Sequence, residues 1–481
     1  MKTSYVTFPT HERKILGLNG LNHDATASLI HGTEIKFAGH NERYSDIKFD
    51  EQLDSTLIND LKRYGDWDTI VWFEDSLLKK TRQLYAGQYK EVFSLKNIPN
   101  YYLKKRFGFT PDYQISHHLS HASAAYFTSP YDNAISINID AIGEWDTVSV
   151  WEGWTSWNRP KMKKVWSRKY PYSIGLFYSA ITKAIGLKPQ EDEYITMGMA
   201  AFGEPKYYDE YKEILDYHNC HRGMPKVLKG YPNDIAASAQ LLVEEEIVKI
   251  VKDHCHHQNL VMMGGVALNC VANSKVAELG KKIWIMPNPG DCGSALGAAA
   301  LTYGKKIKWE HPYLGTEIKG NVNIKEVVSY LLKHKYCGIA HGCAEFGPRA
   351  LGNRSLIADP REDIKDTVNN IKQRQAFRPF APAILEEFAH EYFEGPMNEY
   401  MQFVAMAKHD HYSVTHVDGT ARVQIVKKDC KSIIRPLLEH WYEKTKCPML
   451  LNTSLNIKGE PMVDNENDKK VFMKKYKVKV F

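Results

Sequence analysis

Two histidines spaced four residues apart, His117 and His121, constrain the folding of this chain more than any other feature. They stand in the run Ser116-His117-His118-Leu119-Ser120-His121-Ala122-Ser123-Ala124-Ala125, whose small residues favour a helix. Residues at i and i+4 share one helical face, so both imidazoles are predicted to point the same way. Two imidazoles can hold one metal ion if further ligands come from elsewhere in the chain. An ordinary helix face is the alternative.

Two aspartates that follow predicted strands are the candidate further ligands. Asp140 ends the strand-like run 133–140, three residues before Gly143. Asp291 follows a second predicted strand, 282–286, and a Pro-Asn-Pro-Gly turn, and it precedes a helix of small residues. A carboxylate where a strand gives way to a glycine turn is a common ligand of a metal or a phosphate site. Each aspartate could also be a simple turn residue.

The N-terminal segment is predicted to form a strand, a polar turn, a second strand, a turn at His31-Gly32 and a third strand. The polar turn carries His23 and Asp24 and lies at the mouth of the predicted sheet. Backbone N–H groups at such a mouth can approach a phosphate. Taken alone, His23 is as readily a turn residue as a catalytic one, and Asp24 could cap the turn.

A double glycine follows a predicted buried strand at 260–263. Gly264 and Gly265 open the run to Asn269, and a helix is predicted from Cys270. This order lets the backbone approach a nucleotide closely. The run His254-Cys255-His256-His257, at the end of the preceding helix, has the composition of a metal site. Contiguous residues cannot all face one ion, so a role of these histidines at the helix C-terminus is favoured.

Length and composition set wider limits. A chain of 481 residues predicts two or three domains, and 43% hydrophobic with 25% charged residues is typical of a globular protein. The eight cysteines include no C-x-x-C pair, which indicates a reducing compartment. Residues 1–5 lack a signal-peptide segment, and no apolar run approaches the ~18 residues of a membrane span. We expect a cytoplasmic protein without a membrane partner, and a net charge of +6 does not by itself imply a polyanionic one.

A cationic region follows a predicted domain boundary near residues 316–322. Two arginines flank a glycine-rich turn between residues 345 and 361, and guanidinium groups grip planar oxyanions bidentately. Further cations and a strand that opens into a polar turn follow. A surface ion pair is the alternative for any single arginine, but the group favours a site for ATP and a small phosphorylated substrate. The members of this set are Arg349, Arg354, Lys372, Arg374, Arg378, Asn452 and Ser454.

Residues 154–172 interleave aromatic and basic side chains, and the segment 469–477 is rich in lysine. Such mixtures can stack on bases and hold phosphates. An exposed β-hairpin, with aromatics on one side and solvated lysines on the other, is the favoured interpretation of residues 154–172.

Several motifs occur in an order that resembles one protein family, the O-carbamoyltransferases of nodulation-factor and antibiotic tailoring. The resemblance spans nearly the whole chain, and its most specific part is the run Gly-Pro-Arg-Ala-Leu-Gly-Asn-Arg-Ser at 347–355. The other matching motifs are Asn19-Gly20 with His23-Asp24-Ala25, His117-x3-His121, Asp140 with Gly143-Glu144, Met197-Gly198, Gly264-Gly265-Val266-Ala267-Leu268-Asn269 and Pro289-Gly290-Asp291.

The resemblance implies an α/β (α+β) protein of two domains. Residues 1–316 would form a duplicated actin/hexokinase-like ATPase domain, similar to the threonylcarbamoyl-transferase domain that modifies tRNA. Residues 317–481 would form an α/β domain with a twisted sheet, similar to the carbamoyl-adenylate-forming domain of hydrogenase maturation and tRNA threonylcarbamoylation.

The implied activity uses ATP and carbamoyl phosphate to make carbamoyl-adenylate and transfers the carbamoyl group to an acceptor hydroxyl. His23 or Asp24 would deprotonate the acceptor. Iron or another divalent ion, with Mg²⁺ as an alternative, would contact the nucleotide phosphate. Its implied ligands are His117, His121, Asp140 and Asp291. The nucleotide and carbamoyl phosphate would be bound by Gly264, Gly265, Asn269, Glu144 and the cationic set named above.

Three positions depart from the family pattern. Cys343 replaces a usual arginine, which bears on a phosphate contact, and Ile195 replaces a common lysine, which bears on the acceptor site. Ala141 stands where glycine usually follows the aspartate.

The acceptor stays open among sugars, aminoglycosides, cephem hydroxymethyl groups and a hydroxymethylated nucleotide or DNA base. The aromatic-basic segment and the lysine-rich segment favour the last. The alternatives are a tRNA threonylcarbamoyl-transferase-like enzyme and a non-catalytic ATP-binding module, and oligomer formation stays open.

Overall fold

The computed structural model describes residues 12–157, 159–225, 228–409 and 411–481. Residues 1–11, on which the signal-peptide expectation rests, lie outside this range. The first ten strands are β1 (Lys14–Asn19), β2 (Thr26–His31), β3 (Glu34–His40), β4 (Thr69–Trp72), β5 (Tyr113–Gln114), β6 (Asn133–Gly143), β7 (Asp146–Ser156), β8 (Arg159–Lys169), β9 (Asn259–Met263) and β10 (Lys282–Ile285).

Twelve helices accompany these strands in the described part of the chain. They are α1 (Glu42–Ser45), α2 (Ser55–Lys62), α3 (Ser76–Tyr85), α4 (Tyr89–Phe93), α5 (Pro99–Phe107), α6 (His117–Thr128), α7 (Ile174–Ala184), α8 (Glu193–Ala200), α9 (Tyr208–Tyr217), α10 (Pro232–His254), α11 (Cys270–Ala277) and α12 (Asp291–Tyr303). Short 3-10 helices span Leu95–Asn97, Cys220–Arg222 and Gly265–Leu268.

The first ten strands form two sheets of the same topology. The first has the order β3-β2-β1-β4-β5, and the second, read from its β8 edge, has the order β8-β7-β6-β9-β10. In each sheet the three strands that are consecutive in the chain, β1 to β3 or β6 to β8, are antiparallel neighbours. The other two strands run parallel to β1 or to β6. The repeated order is that of a duplicated unit, so the expected actin/hexokinase-like arrangement is confirmed.

Helices α6 and α12 pack against each other and link the two sheets. Their small residues permit a very close approach. A Cβ atom at Gly297 of α12 would lie 2.0 Å from the carbonyl oxygen of Ser120 in α6. Because α6 begins with His117 and α12 begins with Asp291, this contact brings the two candidate ligands to the same end of the helix pair.

The described residues of the C-terminal part add ten strands and five helices. The strands are β11 (Tyr313–Ile318), β12 (Tyr336–Ala340), β13 (Gly342–Glu345), β14 (Arg354–Ala358), β15 (Ala381–Leu385), β16 (Phe393–Glu394), β17 (Ala405–Ala407), β18 (Thr420–Ala421), β19 (Gln424–Val426) and β20 (Met449–Ser454). The helices are α13 (Ile324–His334), α14 (Lys365–Lys372), α15 (Ala389–Tyr392), α16 (Ile434–Thr445) and α17 (Glu466–Tyr476), and a 3-10 helix spans Glu386–Phe388.

The main C-terminal sheet has the order β12-β14-β20-β15-β19 and buries both faces. One face packs on α13 and α16 through side chains such as Leu331 and Trp441, and the other packs on residues that include Val368 and Phe472. This is the expected α/β class for the C-terminal part. Residue 316 lies inside β11, which pairs with β13, and the domain boundary near 316–322 stays a prediction.

Most predicted elements agree with the structure, with one instructive difference. Strand β6 does not end at Asp140 but continues to Gly143, with an irregular register between Ile139 and Gly143. The aspartate therefore lies at a break in strand pairing rather than at a strand end. All eight cysteines are free thiols. Within the described ranges, no helix has both the length and the apolar character needed to cross a bilayer.

Candidate functional site

A cavity of about 800 Å³ is lined by residues of both the N-terminal and the C-terminal parts. Most of the predicted site residues line it. They are His23, Asp24, Asp140, Gly265, Asn269, Asp291, Arg349, Lys372, Arg374, Arg378, Asn452 and Ser454.

The four predicted metal ligands converge at the N-terminal side of this cavity. The Nε2 atoms of His117 and His121 lie 3.0 Å apart, and Oδ2 of Asp140 lies 3.1 Å and 2.9 Å from them. Oδ1 of Asp291 lies 3.3 Å from each Nε2. The four ligand atoms all lie within 4.8 Å of one another. Side chains from three elements, α6, β6 and α12, thus surround a single point.

Neighbouring groups hold these side chains in place. Oγ of Ser294 lies 3.0 Å from Nδ1 of His121, and Oε1 of Glu74 lies 3.7 Å from Nδ1 of His117. Backbone N–H of Ala141 donates to Oδ1 of Asp140 at 2.7 Å. Outer contacts of this kind orient imidazole and carboxylate ligands around a metal. Glu74 and Ser294 carry no recognisable sequence motif and were not predicted.

The electrostatics of the cluster require compensation of charge. Burial lowers the pKa of His117, but the nearby Asp291, Asp140 and Glu74 outweigh burial and raise it well above its usual value. Burial raises the pKa of Asp140, but both histidines lower it well below its usual value. The two carboxylates therefore stay ionised, and the charge that balances them comes from the protons of the two imidazoles or from a metal ion that replaces those protons. A donor set of two imidazoles and two carboxylates fits a divalent transition metal.

His23 and Asp24 form a pair in the turn between β1 and β2. Nδ1 of His23 lies 2.9 Å from Oδ2 of Asp24, and the imidazole stacks on Phe49. Burial lowers the pKa of His23, but the hydrogen bond and the charge of Asp24 raise it to about 9. A carboxylate that holds one ring nitrogen can orient the other for proton transfer.

Three predicted arginines at the C-terminal side of the cavity, Arg349, Arg374 and Arg378, lie close to Arg422, which was not predicted. Burial and Arg422 lower the pKa of Arg349 to about 9. In the parts of the chain that the structure covers, no carboxylate forms an ion pair with these three arginines, and Asp192 is a more distant negative neighbour that raises the pKa of Arg378. Half-buried guanidinium groups without an ion-paired carboxylate favour an anionic ligand.

Asn452 and Lys372 complete this side. Nδ2 of Asn452 donates to Oε1 of Gln424 at 2.7 Å, and its buried Oδ1 has no hydrogen-bond partner among the described residues. Nζ of Lys372 donates to Oγ of Ser454 at 3.0 Å and to Oδ1 of Asn456 at 2.7 Å. The free Oδ1 can accept an N–H of a small planar ligand.

Three predicted ligand-binding residues, Arg354, Glu144 and Gly264, do not line the cavity. Arg354 is 0% exposed, and its guanidinium donates to the carbonyl oxygens of Asp464, His341 and Thr316, among others. It holds loops together, so the predicted phosphate contact is wrong. Oε1 of Glu144 accepts from the backbone N–H groups of His117 and Asp75 and positions helix α6 instead of a nucleotide.

The double glycine serves the site in two ways. Gly264 has φ +93°, and a Cβ atom there would lie 2.2 Å from the carbonyl oxygen of Ile139, so it is a packing position behind the cavity. Gly265 and Asn269 line the cavity. The side chain of Asn269 also caps α11 through Ala272 N–H at 3.0 Å. A bulkier residue at position 264 would displace β6 near Asp140.

The remaining sequence features have structural explanations. Strands β7 and β8 form the favoured hairpin, on which Lys164 pairs with Asp146 and Trp157 is 95% exposed. His254 stacks on Trp166 at the end of α10 and belongs to no ligand cluster found in the described ranges.

Among the departures from the family pattern, Ala141 lines the cavity, Ile195 is buried and Cys343 is half-buried in β13. Cys343 is thus a residue of the β-sheet, and its backbone carbonyl oxygen accepts a hydrogen bond from Nδ2 of Asn353 at 2.8 Å.

Comparisons with known proteins cover most of the chain. A family model described as the carbamoyltransferase N-terminus matches residues 74–225 and 212–300, and a model described as the carbamoyltransferase C-terminus matches residues 328–481. An uncharacterized protein of Synechocystis sp. is 31% identical over 94% of this chain and 93% of its own length. The nodulation protein NolO of Bradyrhizobium diazoefficiens is 32% identical over 74% of this chain and 75% of its own length.

Solved structures align with part of the chain at low identity. Full-length HypF, in a phosphate- and nucleotide-bound form, covers 61% of this chain and 47% of its own, with 14% identity and a TM-score of 0.36. Component A of the (R)-2-hydroxyglutaryl-CoA dehydratase of Acidaminococcus fermentans covers 60% of this chain and 98% of its own, with 16% identity and a TM-score of 0.35.

Proposed function

The chain belongs to the carbamoyltransferase family, and from this premise we propose that it is an O-carbamoyltransferase that uses ATP and carbamoyl phosphate. The observation that carries the proposal is the cavity, which joins a half-buried cluster of arginines to a cluster of two histidines and two aspartates. One region suits the phosphates of the substrates, and the other suits a metal beside a transfer site.

The first step would take place at the arginine cluster. Water cleaves carbamoyl phosphate to carbamate and phosphate, and an oxygen of carbamate then attacks the α-phosphorus of ATP while pyrophosphate leaves. Arg349, Arg374 and Arg378 neutralise the charge of both substrates. Oδ1 of Asn452 accepts an N–H of the planar carbamoyl group, and Lys372 and Ser454 support it. The product is carbamoyl-adenylate.

The second step would take place beside His117, His121, Asp140 and Asp291. When bound there, a divalent ion supplies Lewis-acid stabilisation of the adenylate phosphate. Gly265 and Asn269 lie against the adenosine. Neutral His23, oriented by Asp24, accepts the proton of the acceptor hydroxyl, whose oxygen attacks the carbamoyl carbon while AMP leaves. The carbamoyl group thereby moves from the phosphate to the acceptor.

His23→Ala tests this division of labour. We expect the variant to lose transfer to a hydroxyl acceptor but to keep ATP–pyrophosphate exchange, because the arginine cluster is intact. Transfer is read as a mass gain of one carbamoyl group over a panel of sugars, aminoglycosides and hydroxymethylated nucleotides. Loss of both activities in a folded His23→Ala variant would contradict the proposal.

The alternatives make different predictions. A non-catalytic ATP-binding module would show no exchange in the wild type, and its nucleotide affinity would not depend on the metal ligands. A threonylcarbamoyl-transferase-like enzyme would act on tRNA and on no small hydroxyl acceptor. Metal analysis of the wild type together with Arg349→Ala separates a binding module from an enzyme, since only the enzyme loses exchange in that variant.

A further inference from the structure

Helix α3 turns polar side chains inward and apolar ones outward. Arg82 is 7% exposed and Lys79 and Gln83 are similarly buried, whereas Leu77 is 71% exposed. Long charged side chains are seldom buried to this degree unless they are paired or serve a site. Lys79, Arg82 and Gln83 all line the cavity. The inward face of α3 is therefore a polar wall of the site.

Arg82 presents an unused donor to the cavity. Its Nε donates to the carbonyl oxygen of Glu144 at 3.1 Å, and its Nη1 donates to Oε1 of Gln88 at 3.0 Å. Its Nη2 makes no hydrogen bond to any residue in the described ranges, and no carboxylate there pairs with it. The nearby Glu74 is already paired with Lys79, at 2.7 Å. A buried positive charge thus remains available to a ligand.

His221 supplies a second donor beside Arg82. The ring of Tyr170 lies 5.8 Å from the Arg82 guanidinium and 5.7 Å from the His221 ring, so both neighbours flank it. Backbone N–H of His221 donates to Oδ1 of Asn219, which leaves Nδ2 of Asn219 to donate to the Tyr170 hydroxyl at 3.1 Å. The Tyr170 hydroxyl also lies 3.3 Å from Nδ1 of His221, and either atom can be the donor of this contact.

The ring of His221 offers a hydrogen-bonding nitrogen to the cavity. Burial and the charges of Arg82 and Arg222 lower the pKa of His221, so the ring is neutral at pH 7. In the tautomer whose Nδ1 accepts from the Tyr170 hydroxyl, the ring hydrogen is on Nε2. His221 lines the cavity, and in that tautomer its Nε2–H is a donor in addition to Nη2 of Arg82.

This region is separate from the arginine cluster of the C-terminal part. Arg82 contacts Glu144, Gln88 and Tyr170, whereas Arg378 lies over the ring of Tyr194. The two arginines therefore have none of these contact residues in common. The arginine cluster is assigned to ATP and carbamoyl phosphate, so the region at α3 is left for the remaining substrate.

We propose that Arg82 and His221 form a subsite that binds an anionic group of the acceptor, either a carboxylate or a phosphate monoester. This inference rests on the proposed function and names the acceptor as an anionic hydroxyl compound. A neutral polyol would leave the buried guanidinium unpaired and would gain less on binding. Oε1 of Gln83, which is buried without a partner in the described structure, can accept a hydroxyl or amide hydrogen of the same ligand. A nucleotide carries both required groups.

Binding of radiolabelled inorganic phosphate to the full chain tests the subsite. A nonhydrolysable ATP analogue and a divalent ion first saturate the nucleotide site. We expect the wild type to bind phosphate and Arg82→Gln to bind it at least tenfold more weakly, with Arg82→Lys in between. Arg106→Gln, an exposed arginine of the neighbouring α5, is the matched control and should bind as the wild type does. Equal binding to the wild type and Arg82→Gln, or no binding to the wild type, would overturn the proposal.

Two further measurements complete the test. Displacement of the bound phosphate by methyl phosphate but not by acetate identifies a phosphate monoester as the preferred group, and the reverse identifies a carboxylate. ATP–pyrophosphate exchange is measured on the same samples and should be equal in the wild type and Arg106→Gln. If exchange is absent in the wild type, the proposed function fails, whereas the phosphate-binding result still decides whether the subsite exists.

Discussion

Nδ1 of His23 lies 2.9 Å from Oδ2 of Asp24, its neighbour in the turn between β1 and β2. Nε2 of the same ring is buried and has no hydrogen-bond partner in the described part of the chain. A histidine held by a carboxylate through one nitrogen has the other free to accept a proton. His23 is therefore positioned by its neighbour in the turn to accept the proton in the second step of the proposed reaction.

We expect carbamoyl transfer to accelerate with pH until His23 loses its proton. Burial lowers the pKa of His23, but Asp24 raises it to about 9, so most of the imidazole is charged at neutral pH. Only the neutral ring can act as a base. The value of kcat/KM should rise roughly tenfold per pH unit below this pKa and level off above it, as measured in a pH–rate profile.

Asp24→Asn should move the rising part of that profile to lower pH. The substitution removes the charge that raises the pKa of His23, while burial continues to lower it. We expect a displacement of about 2 pH units or more, with a lower maximum rate because the base is weaker. Asp66→Asn, at an exposed carboxylate, is the control and should leave the profile unchanged. An unmoved profile in Asp24→Asn would exclude His23 as the base.

Asp291→Asn should lower the affinity of the protein for a divalent ion. Oδ1 of Asp291 lies 3.3 Å from Nε2 of both histidines, so its loss removes one of four candidate ligands. The affinity should fall by more than the roughly 10–100-fold that loss of an outer contact costs. Metal content after dialysis, measured by inductively coupled plasma mass spectrometry, checks this.

His118→Asn is the matched control for that measurement. His118 is buried in the same helix beside His117, but its Nδ1 contacts Oγ of Ser149 at 2.8 Å, and it is not one of the four clustered ligands. We expect this variant to keep the metal, provided that circular dichroism shows native helix content. Equal metal loss in His118→Asn and Asp291→Asn would mean that helix packing, and not coordination, controls the metal.

The fold was largely predictable because its signals are local. The spacing of His117 and His121 predicts both a helix and a shared face, and α6 begins at His117. Alternating apolar runs and glycine turns likewise predict β1, β2 and β9 to within about two residues. The convergence of Asp140 and Asp291 with the histidines was implied by family resemblance and depends on tertiary contacts between α6, β6 and α12. No local sequence pattern could predict that these four side chains lie next to one another.

The site was harder to predict because neighbouring residues of one motif have opposite surroundings. Arg349 lines the cavity, whereas Arg354, five positions later, is enclosed by backbone carbonyls. Both arginines flank the same glycine-rich turn, and sequence alone cannot tell which one faces a ligand. Arg82 and Glu74 belong to a helical segment without a motif. Their inward orientation depends on how β4 and α3 pack relative to α6, which the sequence does not show.

Arg354→Lys should destabilise the C-terminal part without a direct effect on ligand binding. Lysine cannot reproduce the fork of donors that reaches the carbonyl oxygens of Asp464, His341 and Thr316, so several buried acceptors lose their partners. We expect a loss of about 3 kcal/mol in the free energy of unfolding and a lower Tm in calorimetry. Arg349→Lys, which faces the cavity, should keep its Tm and lose exchange activity. Normal stability in Arg354→Lys would contradict the structural role.

Gly264→Ala should be far more damaging than an alanine at another glycine with positive φ. Gly264 has φ +93° and ψ +158°, a region that essentially only glycine adopts, and Gly280 has φ +70°. At Gly264 the new Cβ would also lie 2.2 Å from the carbonyl oxygen of Ile139, whereas at Gly280 nothing lies within 4 Å. The difference between the variants combines the backbone strain at position 264 with the collision with β6. We expect Gly264→Ala to lower the Tm further and to weaken ATP binding, because β6 carries Asp140 and Gly265 follows in the cavity wall. Gly280→Ala should bind ATP normally in the same calorimetric titration, and equal behaviour of the two variants would show that β6 yields without disturbing the site.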